Sequence, residues 1–390
     1  MRERFLAVVT NFLIGLTLLV PGTQLNGQDE HHQSSDAHHE TTQSIHEKEA
    51  GHGEAAEEEF NATEYILEHI SDSHDWHILT TKDGHHVSVP LPVILYSKHS
   101  GLHVFFSKKI AHGHTHDGFQ MGNGTIEVVN KKGETVEKNL IGKIVEVDEH
   151  GALVEAGLPL DFSITKNVFM MMLSVIILLW VFLGLARYYK KSGISEPKGL
   201  AGFIEPVIVF IEEDVALPNI GADKTHRYMP YLLTIFFFIL INNLMGLIPF
   251  FPFGANVTGN IALTMVLAIF TFIITTFSGN RSYWQHIFNT PGVPLWLAPI
   301  MIPVEIIGMF TKPFALMIRL FANITAGHII VLSLISMIFI FKAVFMAVPS
   351  LLMVIFMDFI ELLVAFLQAY IFTLLSALFI GLAMPEHHHD

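Results

Sequence analysis

A handful of polar side chains sits where the chain is otherwise apolar, and their types are those that carry charge or protons. In Phe314-Ala-Leu-Met-Ile-Arg319-Leu-Phe-Ala-Asn323-Ile-Thr-Ala-Gly-His328, apolar residues flank Arg319 on both sides for more than a helical turn. A guanidinium cannot shed its charge at any accessible pH. Buried in a bilayer, it costs from roughly 3 to above 10 kcal/mol, which makes an intramembrane Arg a functional residue by default. On an ideal helical wheel Glu305, Lys312, Arg319 and Asn323 fall within about 40° of one another, a stripe roughly 27 Å long. Asp358, Glu361 and Gln368 share a face of the next apolar run. Two polar stripes in a hydrocarbon setting are what a proton or ion route needs: titratable groups along a sealed path. His328 falls about 140° from Asn323 on the ideal wheel, and Glu361 is a natural partner, because an imidazole and a carboxylate can pass one proton between them. The competing reading is packing, since Asn and Gln also bond across membrane helices with no transport role.

Elements of sufficient length to position these residues are visible in the apolar runs. Val168 to Leu185 is uncharged and ends in Arg187-Tyr-Tyr-Lys-Lys191, a basic cluster that marks a cytoplasmic end. Residues 198–218 mix apolar side chains with Glu205, Glu212, Glu213 and Asp214, the pattern of a helix lying along the membrane surface. Tyr231 to Phe251 and Gly259 to Phe277 read as a hairpin around a Pro- and Gly-rich turn. The stretch from Val293 to Phe341 is about twice the length of a perpendicular crossing, so it must tilt, lie in the interface or break, with kinks available at Pro303 and Pro313. Val348 to Met384 supplies the last helix. The expected fold class is therefore an all-α polytopic membrane protein. It has about five transmembrane helices plus one interfacial helix, the last two long and tilted, preceded by a small β-rich, partly disordered extracytoplasmic region.

The charge of the 390 residues is unevenly placed: most of the net −14 lies in the first 165. Residues 1–27, with Arg2, Arg4 and an apolar run to Val20, read as a signal peptide or an N-terminal anchor, which places the chain from residue 28 onward on the outer side of a bacterial inner membrane. Residues 28–59 are rich in His and Glu and too polar to offset their ordering entropy. Residues 60–160 contain a capped helix at Asn61-x-x-Glu64 and several strand-like segments, with Asn130-Lys-Lys-Gly as a turn. In that region His112, His114 and His116 would share a strand face, a candidate metal site beside the alternative of a polar loop. The chain has no cysteine, which excludes disulfides and thiol chemistry, and no basic stripe for nucleic acid. It carries no GxxxxGK[ST] phosphate loop either, so it is expected to hold no nucleotide; no other cofactor and no catalytic site of its own are expected.

The membrane part resembles subunit a of the F-type ATP synthase. The resemblance rests on Asn243-x-x-Gly246-x-x-Pro249, Pro303-x-Glu305, Lys312-Pro313, Arg319-Leu-Phe-x-Asn323-x-x-Ala326-Gly327 and Gln368-Ala-Tyr-Ile-Phe372, and assigns residues 165–390 to that family's membrane domain. It implies a proton channel of two offset half-channels, with Arg319 facing the carboxylates of a rotating c ring and lowering their pKa. Asn323, Gln368, Glu361 and His328 would line the outer half-channel, with Glu305 toward the cytoplasmic one and Lys312 near the cytoplasmic boundary. The implied partners are the c-subunit ring, the b-subunit peripheral stalk, the other synthase subunits, the lipid bilayer and the translocated H+. In the family's familiar bacterial pattern an acid stands at the position of His328 and a histidine at that of Glu361. Here the two are exchanged, which keeps the pair. The alternatives are a secondary ion transporter, which usually shows two similar halves not found here, and a metal-responsive membrane protein built on the His-rich head.

Overall fold

The computed structural model describes residues 62–80, 86–122, 125–129, 135–140, 142–147, 158–192, 198–248, 251–288, 295–341 and 344–384. The expected signal or anchor, the His-rich segment, the Asn61 cap and the turn at Asn130 lie outside them.

The described residues of a head domain, one helix and nine short strands, precede the membrane body. Helix α1 (Ala62–Ile70) leads into an antiparallel pair, β1 (Asp75–Thr80) and β2 (His86–Pro90). Strand β3 (Pro92–Ser97) lies between β4 (Gly101–Phe106) and β9 (Leu160–Asp161) in an antiparallel sheet. Two further antiparallel pairs join β5 (Phe119–Met121) to β8 (Ile144–Glu146) and β6 (Thr125–Val129) to β7 (Thr135–Asn139). The alternation of β3 sends Val93 and Leu95 into a core shared with Phe105, Ile110, Phe119 and Ile144. Tyr96, Leu102, Val104 and Phe106 remain exposed, so this sheet is apolar on both faces.

Among the described residues, five helices of the body are long and apolar enough to cross a membrane. They are α2 (Lys166–Ser192), α5 (Ala222–Gly246), α6 (Ile261–Ser278), α8 (Ala298–Phe341) and α9 (Val344–Leu382). The central one, α5, packs Leu232, Ile235, Phe236, Phe238 and Ile239 at zero exposure against its neighbours. It begins nine residues before the apolar run at Tyr231, because the polar turns through Asp223, Lys224 and Arg227 extend the helix without adding apolar surface.

Between α2 and α5 runs the segment read as interfacial. Its α3 (Leu200–Phe210) passes through a π-helical stretch, Ile211–Ala216, into α4 (Leu217–Ile220). There Glu212, Glu213 and Asp214 face outward while Ile211, Val215 and Ala216 are buried, the two-sided character that the residue mixture implied.

The short α7 (Arg281–Phe288) precedes α8. Helix α8 runs through Pro303 and Pro313 without ending, so of the three outcomes open to so long a run it does not break. At 44 residues it is roughly 66 Å long, and the 39 residues of α9 reach roughly 58 Å, both about twice a hydrocarbon thickness.

Candidate functional site: two polar cavities along α8

The side chains singled out by type fall into two cavities. The first lies between the α5–α6 connection and helices α8 and α9, and is lined by Asn242, Asn243, Asn256, Thr258, Asn323, Gly327, His328 and Glu361 among others. Asn323 Nδ2 donates to Gln368 Oε1 at 2.7 Å, joining α8 to α9. One and a half turns along α8, His328 Nδ1 stands 3.8 Å from Glu361 Oε2. Thr258 donates to Asn243 Oδ1 at 2.7 Å, and Asn243 Nδ2 donates to the Ala365 carbonyl at 3.3 Å, which ties the connection and α5 to α9. Glu361 Oε1 and Asn242 Oδ1 are buried with no hydrogen-bond partner, and the cavity, about 20 Å³, is large enough for a water that would serve them.

Gly327 makes the close approach of Glu361 possible. A Cβ built there would fall 2.6 Å from Glu361 Oε1, so a side chain at this position would occupy the carboxylate's place.

The second cavity, also about 20 Å³, is lined by Thr271, Thr275, Thr276, Tyr283, Met309, Lys312, Pro313 and Phe379. The hydroxyls of Thr275 and Thr276 are buried and unpaired. The Lys312 ammonium lies over the Phe379 ring, 5.7 Å from its centroid. On α7, the Tyr283 phenol is pushed above its ordinary pKa, first by burial and then by the charge of Glu305, which places that carboxylate near this cavity too.

Arg319 lines neither cavity. It lies on α8 between Pro313, in the wall of one, and Asn323, in the wall of the other, roughly 9 and 6 Å away along the axis. It is exposed, and among the described residues no hydrogen bond or ion pair reaches its guanidinium. Asp358, one turn before Glu361, is exposed as well.

The proposed histidine strand does not form. His112 lies in a 3-10 turn, Ala111–Gly113, and His116 lies in an isolated bridge with Phe119, so the three do not alternate along one face. His116 Nε2 lies 3.0 Å from Lys109 Nζ, and no group of three metal-binding side chains occurs among the described residues. Sequence reasoning missed Asn256, Thr258, Thr275 and Thr276. Their only signal is polarity within or beside apolar runs.

A family model described as "ATP synthase A chain" matches residues 168–381, more than half of the chain and the whole of the two-cavity bundle. The chain belongs to this family. An ATP synthase subunit a of Chloroherpeton thalassium is 49% identical over 235 residues, covering 59% of this chain and 69% of the relative. Subunit a 2 of Chlorobaculum tepidum is 52% identical over 238 residues, 59% of this chain and 66% of the relative. One from Anaeromyxobacter sp. is 44% identical over 262 residues, 63% and 62% of the two chains. The matched stretch thus spans about two thirds of each relative. With five candidate spans, the chain is a multi-pass membrane protein of the subunit a family, part of the membrane sector of an ATP synthase. Membership displaces the secondary transporter among the alternatives. The head domain matches a separate family model, a domain of unknown function (DUF8433), over residues 65–162.

Proposed function

We propose that the two cavities are the ends of two offset half-channels for H+, and that Arg319 separates them and faces the carboxylates of a rotating c ring. The observation that carries this reading is the order along α8: one polar cavity at Asn323–His328, an exposed unpaired guanidinium, then a second polar cavity at Lys312–Pro313. A fixed cation stabilises the ionised form of an acid brought beside it, so each passing carboxylic acid gives up its proton there. The same charge opposes direct passage of H+ from cavity to cavity.

The His328–Glu361 pair, with Asn323 and Gln368, hands protons along the first half-channel, and Asp358 adds negative charge one turn away. Glu305, with Lys312 beside it, serves the second. The peripheral stalk b subunit holds the chain still against the ring. The first half-channel opens outside a bacterial inner membrane, with the head domain periplasmic and the C-terminus cytoplasmic. Residues 1–27 direct or anchor the chain there. Nucleotide chemistry resides on other subunits.

The test is ATP-driven acidification of inverted membrane vesicles carrying Arg319→Ala, read beside passive proton leak and ATP hydrolysis. Pumping is expected to fall to background while hydrolysis remains detectable. Unchanged pumping would reduce Arg319 to a packing residue and end the proposal.

A further inference from the structure

The junction between the head domain and the bundle falls on α8 and the α5–α6 connection, two of the elements that wall the first cavity. Asp72, just past α1, reaches over to the start of α2: its Oδ2 accepts from Thr165 Oγ1 at 2.8 Å and its Oδ1 from the Asn167 amide at 3.2 Å. A carboxylate there caps the free N–H groups of a helix whose dipole favours negative charge. Burial drives the Asp72 carboxyl above the ordinary aspartate pKa, against the hydrogen bonds from Thr165 and Asn167, so the clamp holds a group that water would otherwise solvate.

Beside it, Lys166 is only 9% exposed and donates to the His69 carbonyl in the last turn of α1 at 3.1 Å. Its ammonium is also within coulombic reach of His328. Helix α1 itself packs on α8. Trp76 stands edge-on to Phe169 of α2 and to Phe251 of the α5–α6 connection, with centroids at 5.8 and 5.5 Å. That connection supplies Ala255, Asn256, Val257 and Thr258 to the cavity wall.

We propose that the described residues of the head domain, from α1 to β9, form a fixed cap over the first cavity, clamped by Asp72, Trp76 and Lys166, so that water and ions reach His328 and Glu361 through the seam between α1 and α8 rather than straight from bulk solvent. Among the described residues, the titratable groups near that seam include Tyr65, His69, Asp72, Lys166 and His328, with Glu361 beside His328. The cap rests on the reading of this cavity as part of an ion path, and the test separates the two.

The chain has no cysteine, so a single Val257→Cys in the cavity wall is the sole thiol it contributes. In the assembled complex, in vesicles with the head domain facing out, its reaction with a membrane-impermeant cationic thiol reagent is timed. The same rate is measured with Asp72→Ala and Trp76→Ala added, and with Trp76→Ala alone should the combined variant fail to assemble. The expected result is slow labelling in the parent and labelling at least about tenfold faster once the clamp is loosened. Equal rates in both backgrounds would overturn the cap and leave the half-channel reading standing. No labelling in either, with the denatured chain fully reactive, would overturn both, because the cavity would then have no aqueous access from that side.

Discussion

At Gly327 a single methyl group separates the present position of the Glu361 carboxylate from a displaced one. The methyl of Gly327→Ala would meet Glu361 Oε1, the far end of a flexible side chain, so the protein can yield by swinging the carboxylate away from His328. The expected outcome is an assembled complex of unchanged abundance whose ATP-driven pumping falls by about tenfold or more, the scale on which small displacements of reacting groups cost rate. Gly308→Ala is the control: a Cβ there meets nothing within 4 Å, and pumping should match the parent. At this scale Arg319, Asn323, His328, Glu361 and Gln368 were legible because a charge or amide in an apolar run has few neutral explanations. Asn256 and Thr258 were not: they sit in a turn, where polar residues are ordinary, and only the fold of the α5–α6 connection brings them to Glu361.

Helices α8 and α9 were legible as elements from length alone, since an apolar run of 39 or 44 residues admits few other structures. What length could not reveal is how the bundle closes at the end of α9. There Gly381 lies so near the Asn219 carbonyl that an added methyl would collide with main chain, which cannot swing aside as a side chain can. Gly381→Ala should therefore cost more than the usual 1–3 kcal/mol of overpacking and deplete assembled subunit in membranes, measured by immunoblot against another subunit of the complex. Parent levels would show that α4 moves freely relative to α9. The head's strand segments were legible too: Pro92-Val-Ile-Leu-Tyr favours a strand and forms β3, but with Val93 and Leu95 inward and Ile94 and Tyr96 outward it is one apolar run, so the sequence did not show which face is buried.

On the scale of the whole molecule, the head and the bundle, matched by different families, meet through Asp72 and Lys166, and a further polar pair inside the head holds β9 just ahead of α2, contacts that composition could not announce. His74, in the segment after α1, places Nε2 2.6 Å from Asp161 Oδ2, just before α2. Burial alone would raise the Asp161 pKa. The His74 hydrogen bond and charge, with two bonds to Ser163, outweigh it and hold the carboxyl below the ordinary range. A depressed carboxyl adds stability that is present above its unfolded pKa and lost as pH falls through the folded one. His74→Ala should accordingly destabilise the protein by about 1–3 kcal/mol at neutral pH, a difference that shrinks on acidification through that lowered value, as denaturant unfolding at several pH values would record. A pH-independent difference would assign the effect to lost packing. The exposed guanidinium of Arg319 also bears on how such a complex is made. If a ring carboxylate faces it as proposed, the bilayer itself must solvate that cation until then, at roughly 3 kcal/mol or more. On the proposed arrangement the penalty would fall on the newly inserted, solitary chain and disappear on docking, so the order of assembly would be written into the energy of a single side chain.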